Sequence, residues 1–403
     1  MISVKEALSI ITAHVTPAGV ESVPLLEAMD RVPAEDVRAA EPSPRFTNSA
    51  MDGFAVRWET AAWEGSEVKF LLTGESRAGD PFEGVVKPGE AVRISTGAVL
   101  PKGTDAVIPI EDAKESGHEI RVGRSVRKFQ HVRFKGEEFK AGEIILKRGD
   151  VITPAAIGLL ASQGITSVAV FRRPSVSIVG TGTELMPLKA PDLKPGQIRD
   201  SNSLMLCAAV TRSGAQVVYR KSVGDELDDV ERILQQAAGA GQIILFSGGV
   251  SVGPHDLVRQ AAEACGFETL FWKVRQKPGK PLFFAKKQNK LLFGLPGNPV
   301  SSLSCYAYYV HPVLRKMMGA EFEWQIVKAK LSREMKNPGD RAIFVRVAVR
   351  RNSPKDSIAD PLTKQGSHRL TSMVQADGFI LLEPGERLSK GCNVDVYLYP
   401  WRA

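Results

Sequence analysis

Ile243-Ile244-Leu245-Phe246 runs directly into Ser247-Gly248-Gly249-Val250-Ser251-Val252-Gly253-Pro254-His255-Asp256, and this junction decides the fold class. The apolar run predicts a buried strand. Glycines and small hydroxyl residues at its end leave backbone N–H groups bare and let a ligand approach the main chain, phosphate being the usual guest. Working outward, Leu291-Leu292-Phe293 runs in the same way into Gly294-Leu295-Pro296-Gly297-Asn298-Pro299-Val300-Ser301-Ser302. Val176-Ser177-Ile178-Val179 runs into Gly180-Thr181-Gly182-Thr183-Glu184. Helical patterns follow Asp200 (Leu204 to Val210) and Asp225 (Leu227, Val230, Ile233, Leu234), with a strand at Gln216–Tyr219 between them. Strands alternating with helices predict a doubly wound, mostly parallel α/β sheet over 174–319. Ligands collect beyond the carboxyl ends of such strands, so the three loops are expected to share one rim.

The flanking sequence has other textures. Residues 4–39 read as helical, with Val4, Ala7, Leu8, Ile11 and Val15 at helix spacing and a second segment starting at Val23. Short β-like pieces punctuated by Gly, Pro and Asp fill 46–133 and predict a small antiparallel β domain. Thr153 before Pro154, and Gly164 after, mark a helix between them. Beyond Glu321, alternation over Ile343–Val349 and Asn393–Leu398 predicts a small β-barrel or sandwich. The expected division is an α/β multidomain chain. A discontinuous helical and linker domain takes 1–44 and 134–173, a small β domain 45–133, the α/β domain 174–319 and a C-terminal β-barrel-like domain 320–403.

Composition excludes several classes. The 403 residues carry 53 Lys and Arg against 45 Asp and Glu, a net charge of +8, yet no basic block or aromatic ladder suited to nucleic acid appears. A dispersed basic excess draws in small anions instead. No apolar stretch approaches the roughly 20 residues needed to span a bilayer, and the start lacks a secretory pattern, so a cytoplasmic location is expected. Cys207, Cys265, Cys305 and Cys392 lie too far apart for a CxxC metal site or a disulfide framework.

The chemistry-bearing residues converge on the predicted rim. Backbone groups of 247–253 and 294–302 would hold phosphate, with the Ser251, Ser301 and Ser302 hydroxyls as donors. Glu184, Asp200, Asp225 and Asp256 are carboxylates at strand ends, where an anion pocket has use for them only with a bridging cation such as Mg²⁺. Asp200 and Asp225 serve equally well as helix N-caps. Lys277-Pro278-Gly279-Lys280-Pro281 presents two ammonium groups on a stiff turn. Arg341, Phe344 and Arg346, with the 366–372 loop, offer further cations and hydroxyls.

Taken in order, Asn48–Val56, Ser95-Thr96-Gly97, Gly103–Val107, Val132–Glu137, Thr153–Gly164, Gly180–Leu185, Arg199–Asn202, Ser247–Gly253 with Asp256, Lys277–Pro281, Gly294–Ser302, Gln365–Ser367 and Ala376–Gly378 resemble the molybdopterin molybdenumtransferase family, MoeA in bacteria and the E domain of gephyrin in animals. The resemblance runs nearly end to end. It implies four subdomains in a homodimer, and a Mg²⁺-assisted reaction that joins molybdate to adenylylated molybdopterin and releases AMP. By position it implies catalytic roles for Asp52, Thr96, Glu184, Asp225 and Asp256, the last three also as Mg²⁺ ligands. Substrate would meet Gly182, Asp200, Ser201, Asn202, Ser247, Gly248, Gly249, Ser251, Gly253, Pro296, Gly297, Asn298 and Pro299. Molybdate would meet Lys277, Lys280, Ser301, Arg341, Ser367 and Ser372. The preceding adenylyltransferase and apo-molybdoenzymes are the partners it implies. Thr47, Glu138 and Thr183 depart from the family pattern, each standing where relatives carry aspartate or another acid. The rival readings are an adenylyltransferase-like or nucleotide-hydrolysing activity of the same α/β module, and a non-catalytic dimeric scaffold.

Overall fold

Alternation along three buried strands sorts their side chains into two layers. Val176, Ile178, Ile243, Leu245, Leu291 and Phe293 face one way, and Val179, Ile244, Phe246 and Leu292 the other. Both faces must therefore be covered by helices. In the computed structural model, which describes residues 1–61, 67–123, 125–250, 257–353 and 356–402, they are. The chain forms two compact units, one of Met1–Glu35, Arg148–Pro154 and Ser167–Ala403, the other of Asp36–Lys147 and Ala155–Thr166.

The first unit holds helix α1 (Val4–Ala13), then β1 (Ser175–Thr181), α2 (Ser201–Arg212), β2 (Gln216–Val223), α3 (Leu227–Ala240), β3 (Ile243–Ser247) and α4 (Leu257–Ala264). It continues with β4 (Glu268–Trp272), β5 (Phe283–Lys287), β6 (Lys290–Leu295), α5 (Pro299–Cys305) and α6 (His311–Met317). The sheet order is β2-β1-β3-β6-β5-β4. Its first four strands are parallel, and β5 and β4 add antiparallel. Helices α1, α2, α5 and α6 cover one face, α3 and α4 the other. This is the mostly parallel, doubly wound sheet expected from the sequence.

The barrel expectation also holds. Strands β7 (Ile326–Leu331), β8 (Ala342–Ser353) and β9 (Asp356–Pro361) precede the short helix α7 (Leu370–Gln375), and β10 (Gly378–Leu382) and β11 (Asn393–Leu398) follow it. They close in the order β8-β9-β7-β11-β10 and back to β8. Val345, Val347, Ala359, Ile380 and Val396 fill the interior.

The helical reading of 4–39 fails after its first third. Helix α1 ends at Ala13, Gly19 adopts φ 106°, and Val20–Pro24 is a strand antiparallel to Ser167–Phe171. Its partner lies far along the chain, which no local periodicity reveals.

In the second unit, a six-stranded sheet runs Ala106–Pro109, Gly53–Val56, Glu90–Ile94, Val68–Ser76, Glu119–Val122, Ala113–Ser116. It is antiparallel as expected, apart from one parallel pairing of Val68–Ser76 with Glu90–Ile94. Pro154–Ser162 forms the predicted helix, and Gly164 leaves it at φ 70°.

Candidate active site

Strands β1, β3 and β6 are sheet neighbours and parallel, so the loops after Thr181, Ser247 and Leu295 leave the same edge. Short contacts lock them together. The Gly248 N–H donates to the Leu295 carbonyl (3.0 Å). The Asn202 side-chain amide donates to Ser247 Oγ (2.9 Å) and to the Gly297 carbonyl (2.6 Å). Asn202 therefore ties α2 to both loops at once. Gly248, at φ 97°, sits so close to β1 that a Cβ there would lie 2.5 Å from the Thr181 carbonyl oxygen. A Cβ on Gly249 would lie 2.7 Å from Thr181 Oγ1. Only glycine lets the strands end in one tight rim.

This rim borders a cleft of about 730 Å³, lined by Gly182, Gly248, Gly249, Pro296, Gly297 and Asn298 together with Thr181, Glu184 and Asp225. Ser247 is buried beneath it and Pro299 opens α5 behind it. Thr181, between two glycines at the end of β1, carries no distinguishing signal in the sequence. Its hydroxyl is buried and has no hydrogen-bond partner among the described residues.

The carboxylates divide by role. Asp225 Oδ2 accepts from the Thr183 N–H (2.9 Å) and hydroxyl (3.2 Å), tying the ends of β1 and β2 together, while Glu226 takes the N-cap place of α3. Thr183, a departure from the family pattern, is thus the partner of Asp225. Asp200 is the N-cap of α2: it accepts from the Ser203 N–H (3.0 Å) and from the Ser203 and Ser222 hydroxyls (2.5 and 2.8 Å). Neither Asp200 nor the exposed Ser201 lines the cleft. Glu184 folds back over Gly182, where a Cβ would meet its carboxylate at 2.4 Å. Glu184 and Asp225 are both exposed to the same cleft, opposite glycine loops suited to phosphate. That donor set fits Mg²⁺, which binds through one or two carboxylates plus substrate phosphate and water. Glu226 lines the same cleft, but among the described residues no group of three acids, His or Cys is placed to hold a metal. Ser251, Gly253 and Asp256 lie outside the described residues.

A second cavity, about 950 Å³, shares Pro281 with the first. Lys277, Lys280, Ser301, Arg341 and Ser367 all line it. These residues come from four separate segments. A two-residue strand, Gln276–Lys277, runs parallel to β8 (Gln276 opposite Ala342, Lys277 opposite Ile343) and seats the lysine turn beside Arg341. Ser301 is buried on α5, and the Ser367 carbonyl accepts from the Val300 N–H (3.2 Å). Arg333 and Lys336, not singled out from sequence, line the cavity too. Its acid, Glu334, pairs with Lys336 (3.1 Å) and Arg387 (2.7 Å), and these cations hold its carboxyl below the usual range. The cavity stays cationic.

Two expected residues stand back from it. Ser372 is buried in α7, its hydroxyl donating to the Arg369 carbonyl (2.6 Å). Arg346 is also buried; it donates to the Lys364 and Gly366 carbonyls (3.4 and 3.3 Å), so it shapes the Ser367 loop from inside. In the second unit the Thr96 N–H donates to Asp52 Oδ1 (2.7 Å), and both residues are exposed.

Comparison with known proteins accounts for this arrangement along the whole chain. Residues 2–164 match the MoeA N-terminal region (domain I and II), 177–316 the probable molybdopterin binding domain, and 328–399 the MoeA C-terminal region (domain IV). A molybdopterin molybdenumtransferase of Staphylococcus epidermidis is 34% identical over 404 residues, covering 98% of this chain and 95% of the relative. Two solved structures of molybdopterin biosynthesis MoeA protein from Pyrococcus horikoshii superpose with TM-scores of 0.85 and 0.86 at 31% and 29% identity, each over 99% of this chain and 99% and 100% of theirs. With a glycine-lined rim beside a cationic cavity and likeness at full length, the chain belongs to the molybdopterin molybdenumtransferase family, enzymes of molybdenum insertion in molybdenum-cofactor biosynthesis.

Proposed function

We propose that this enzyme joins molybdate to adenylylated molybdopterin and releases AMP, with Mg²⁺ assisting, as a cytoplasmic homodimer. One observation supports the assignment of subsites above all: the glycine rim and the lysine cavity meet at Pro281. In this reading the rim takes the phosphates of adenylylated molybdopterin and the cationic cavity takes molybdate. Asn202, with Ser247, fixes the spacing of the two loops. The described candidates for substrate contact are Gly182, Gly248, Gly249, Pro296, Gly297 and Asn298, and the Thr181 hydroxyl adds a donor. Ser251 and Gly253 keep the roles that the family implies.

Electrostatics explains the need for so many cations. Two unit charges 4 Å apart repel by about 4 kcal/mol at an effective dielectric of 20, and a dianion doubles that. Lys277, Lys280 and Arg341 offset this repulsion as molybdate approaches the pterin phosphate. The pterin dithiol displaces one oxide of molybdate, its two protons leaving with that oxide as water. Water attacks the adenylyl phosphorus, the phosphorus bond to the pterin phosphate oxygen breaks, the attacking oxygen stays on AMP and its proton passes to solvent. Glu184 and Asp225, with Asp256, would hold Mg²⁺, which supplies charge neutralisation at the phosphates. Asp52 and Thr96 are assigned to the same reaction by family position. The adenylyltransferase of the preceding step and apo-molybdoenzymes are its natural partners.

The test is AMP release by purified protein from adenylylated molybdopterin plus molybdate. Turnover that falls more than roughly a hundredfold in Glu184→Ala, Asp225→Ala and Lys280→Ala, with the fold retained, supports the subsites. Wild-type turnover in all three sinks them. Adenylyl transfer from ATP to molybdopterin would favour the adenylyltransferase reading instead. A stable dimer with no activity in either assay would favour the scaffold.

A further inference from the structure

We infer that Gln276 is a positioning residue for molybdate binding: from beneath the cavity it holds the Lys277–Lys280 turn in the shape that presents both ammonium groups. The inference rests on the proposed molybdate cavity and concerns an uncharged residue of its lining, which acts through the turn. Neither lysine side chain makes a hydrogen bond or ion pair among the described residues. Among the described residues, their placement is therefore set by the turn's backbone.

That backbone is held from below. Gln276 is 1% exposed, and its amide Nε2 donates to the Gly279 carbonyl (3.0 Å). The same nitrogen lies 3.3 Å from Cys305 Sγ, and Oε1 accepts from the Tyr309 hydroxyl. Tyr309 and Cys305 are themselves buried on the segment that follows the Pro299 loop. Gly279, at φ 92°, has no room to shift: a Cβ there would lie 2.5 Å from Cys305 Sγ and 2.6 Å from Gln276 Nε2. The Val274 N–H donates to the Lys280 carbonyl (3.0 Å) and closes the turn.

The position calls for one side chain that donates toward Gly279 and accepts from Tyr309 at once. A primary amide does both, whereas leucine does neither. Burial matters equally: without the amide the Gly279 carbonyl keeps, among the described residues, only the weak Cys305 thiol donor 3.9 Å away, which favours a shift of the turn. The relay Tyr309–Gln276–Gly279 thereby couples α5 and its continuation, which carry Ser301, to the lysines that face it.

The experiment uses the full-length enzyme and measures AMP release with molybdate varied at saturating adenylylated molybdopterin, beside the thermal midpoint. For Gln276→Leu we expect the molybdate KM to rise about tenfold with kcat within roughly threefold and the KM for adenylylated molybdopterin unchanged. Tyr309→Phe should raise the molybdate KM roughly threefold. In a Lys277→Ala/Lys280→Ala background, Gln276→Leu should add nothing, because the groups it positions are gone. An unchanged molybdate KM in Gln276→Leu, or its full effect persisting without the lysines, overturns the inference. If Gln276→Leu does not fold, Tyr309→Phe decides, and an unchanged KM there is equally fatal. An unchanged KM in Lys277→Ala/Lys280→Ala itself refutes the cavity assignment rather than the role of Gln276 alone.

Discussion

Gly248→Ala is the sharpest probe of the rim. The alanine must adopt φ 97°, a left-handed conformation costing about 1–2 kcal/mol for a residue with Cβ. Its methyl would also lie 2.5 Å from the Thr181 carbonyl oxygen, against 3.4–4 Å for ordinary contact. Thr181 ends β1, a strand whose Val176, Ile178 and Val179 are fully buried between the two helical layers, so its main chain cannot yield. Overpacking of this kind costs about 1–3 kcal/mol. The total is about 2–5 kcal/mol, against the 5–15 kcal/mol typical of a domain. The variant should fold, but with the loop displaced rather than the strand. Urea denaturation reads the first effect and AMP release the second, with kcat/KM expected to fall more than about tenfold. Gly196→Ala is the control: φ is 89° but no atom lies within 4 Å, so only the conformational cost of about 1–2 kcal/mol should appear. If Gly248→Ala matches wild type in both assays, the close approach of β1 and β3 is not what shapes the cleft.

Three further outcomes are expected. Asp225→Asn keeps an oxygen for Thr183 but loses the charge, so the thermal midpoint should hold while half-saturation by Mg²⁺ rises about tenfold; an unmoved Mg²⁺ titration argues against a metal ligand here. Gly239→Ala lies on the exposed side of α3 with nothing within 4 Å, and should stabilise the protein by about 0.5–1 kcal/mol in urea denaturation. Burial, with a smaller contribution from Arg315, lowers the His311 pKa from 6.5 to about 4, and its Nδ1 lies 2.8 Å from Ser213 Oγ. Between those two pH values the unfolded chain binds a proton that the folded chain refuses, so stability should fall as pH drops through this window, by up to about 3 kcal/mol. His311→Gln should flatten that part of the stability–pH curve, and parallel curves would count against the assignment.

Legibility followed the range of the interactions. Strands β1, β3 and β6 announce themselves because burial on two faces demands an unbroken apolar run, and the glycines that follow answer a backbone demand at the same spot. Asp225 and Asp200 look alike in sequence, each just before a helix. What separates them is spatial: Ser203 and Ser222 converge on Asp200, whereas Thr183 reaches Asp225 from another loop. Lys277 and Lys280 were visible as a stiff basic turn, but Gln276 beneath them carries no signal until Tyr309 and Cys305 are seen packed against it.

Short-range signals were enough for the parallel α/β sheet, the glycine loops at its strand ends and the family, since each depends on residues adjacent along the chain. Long-range packing was needed to make Val20–Pro24 a strand, to turn Ser372 and Arg346 inward, and to set Lys277, Ser301, Arg341 and Ser367 around one cavity. The physical reason is the same in each case. Except for the local Ser372–Arg369 bond, the surroundings of those residues come from segments distant along the chain, and only the closed fold brings them within a few ångströms.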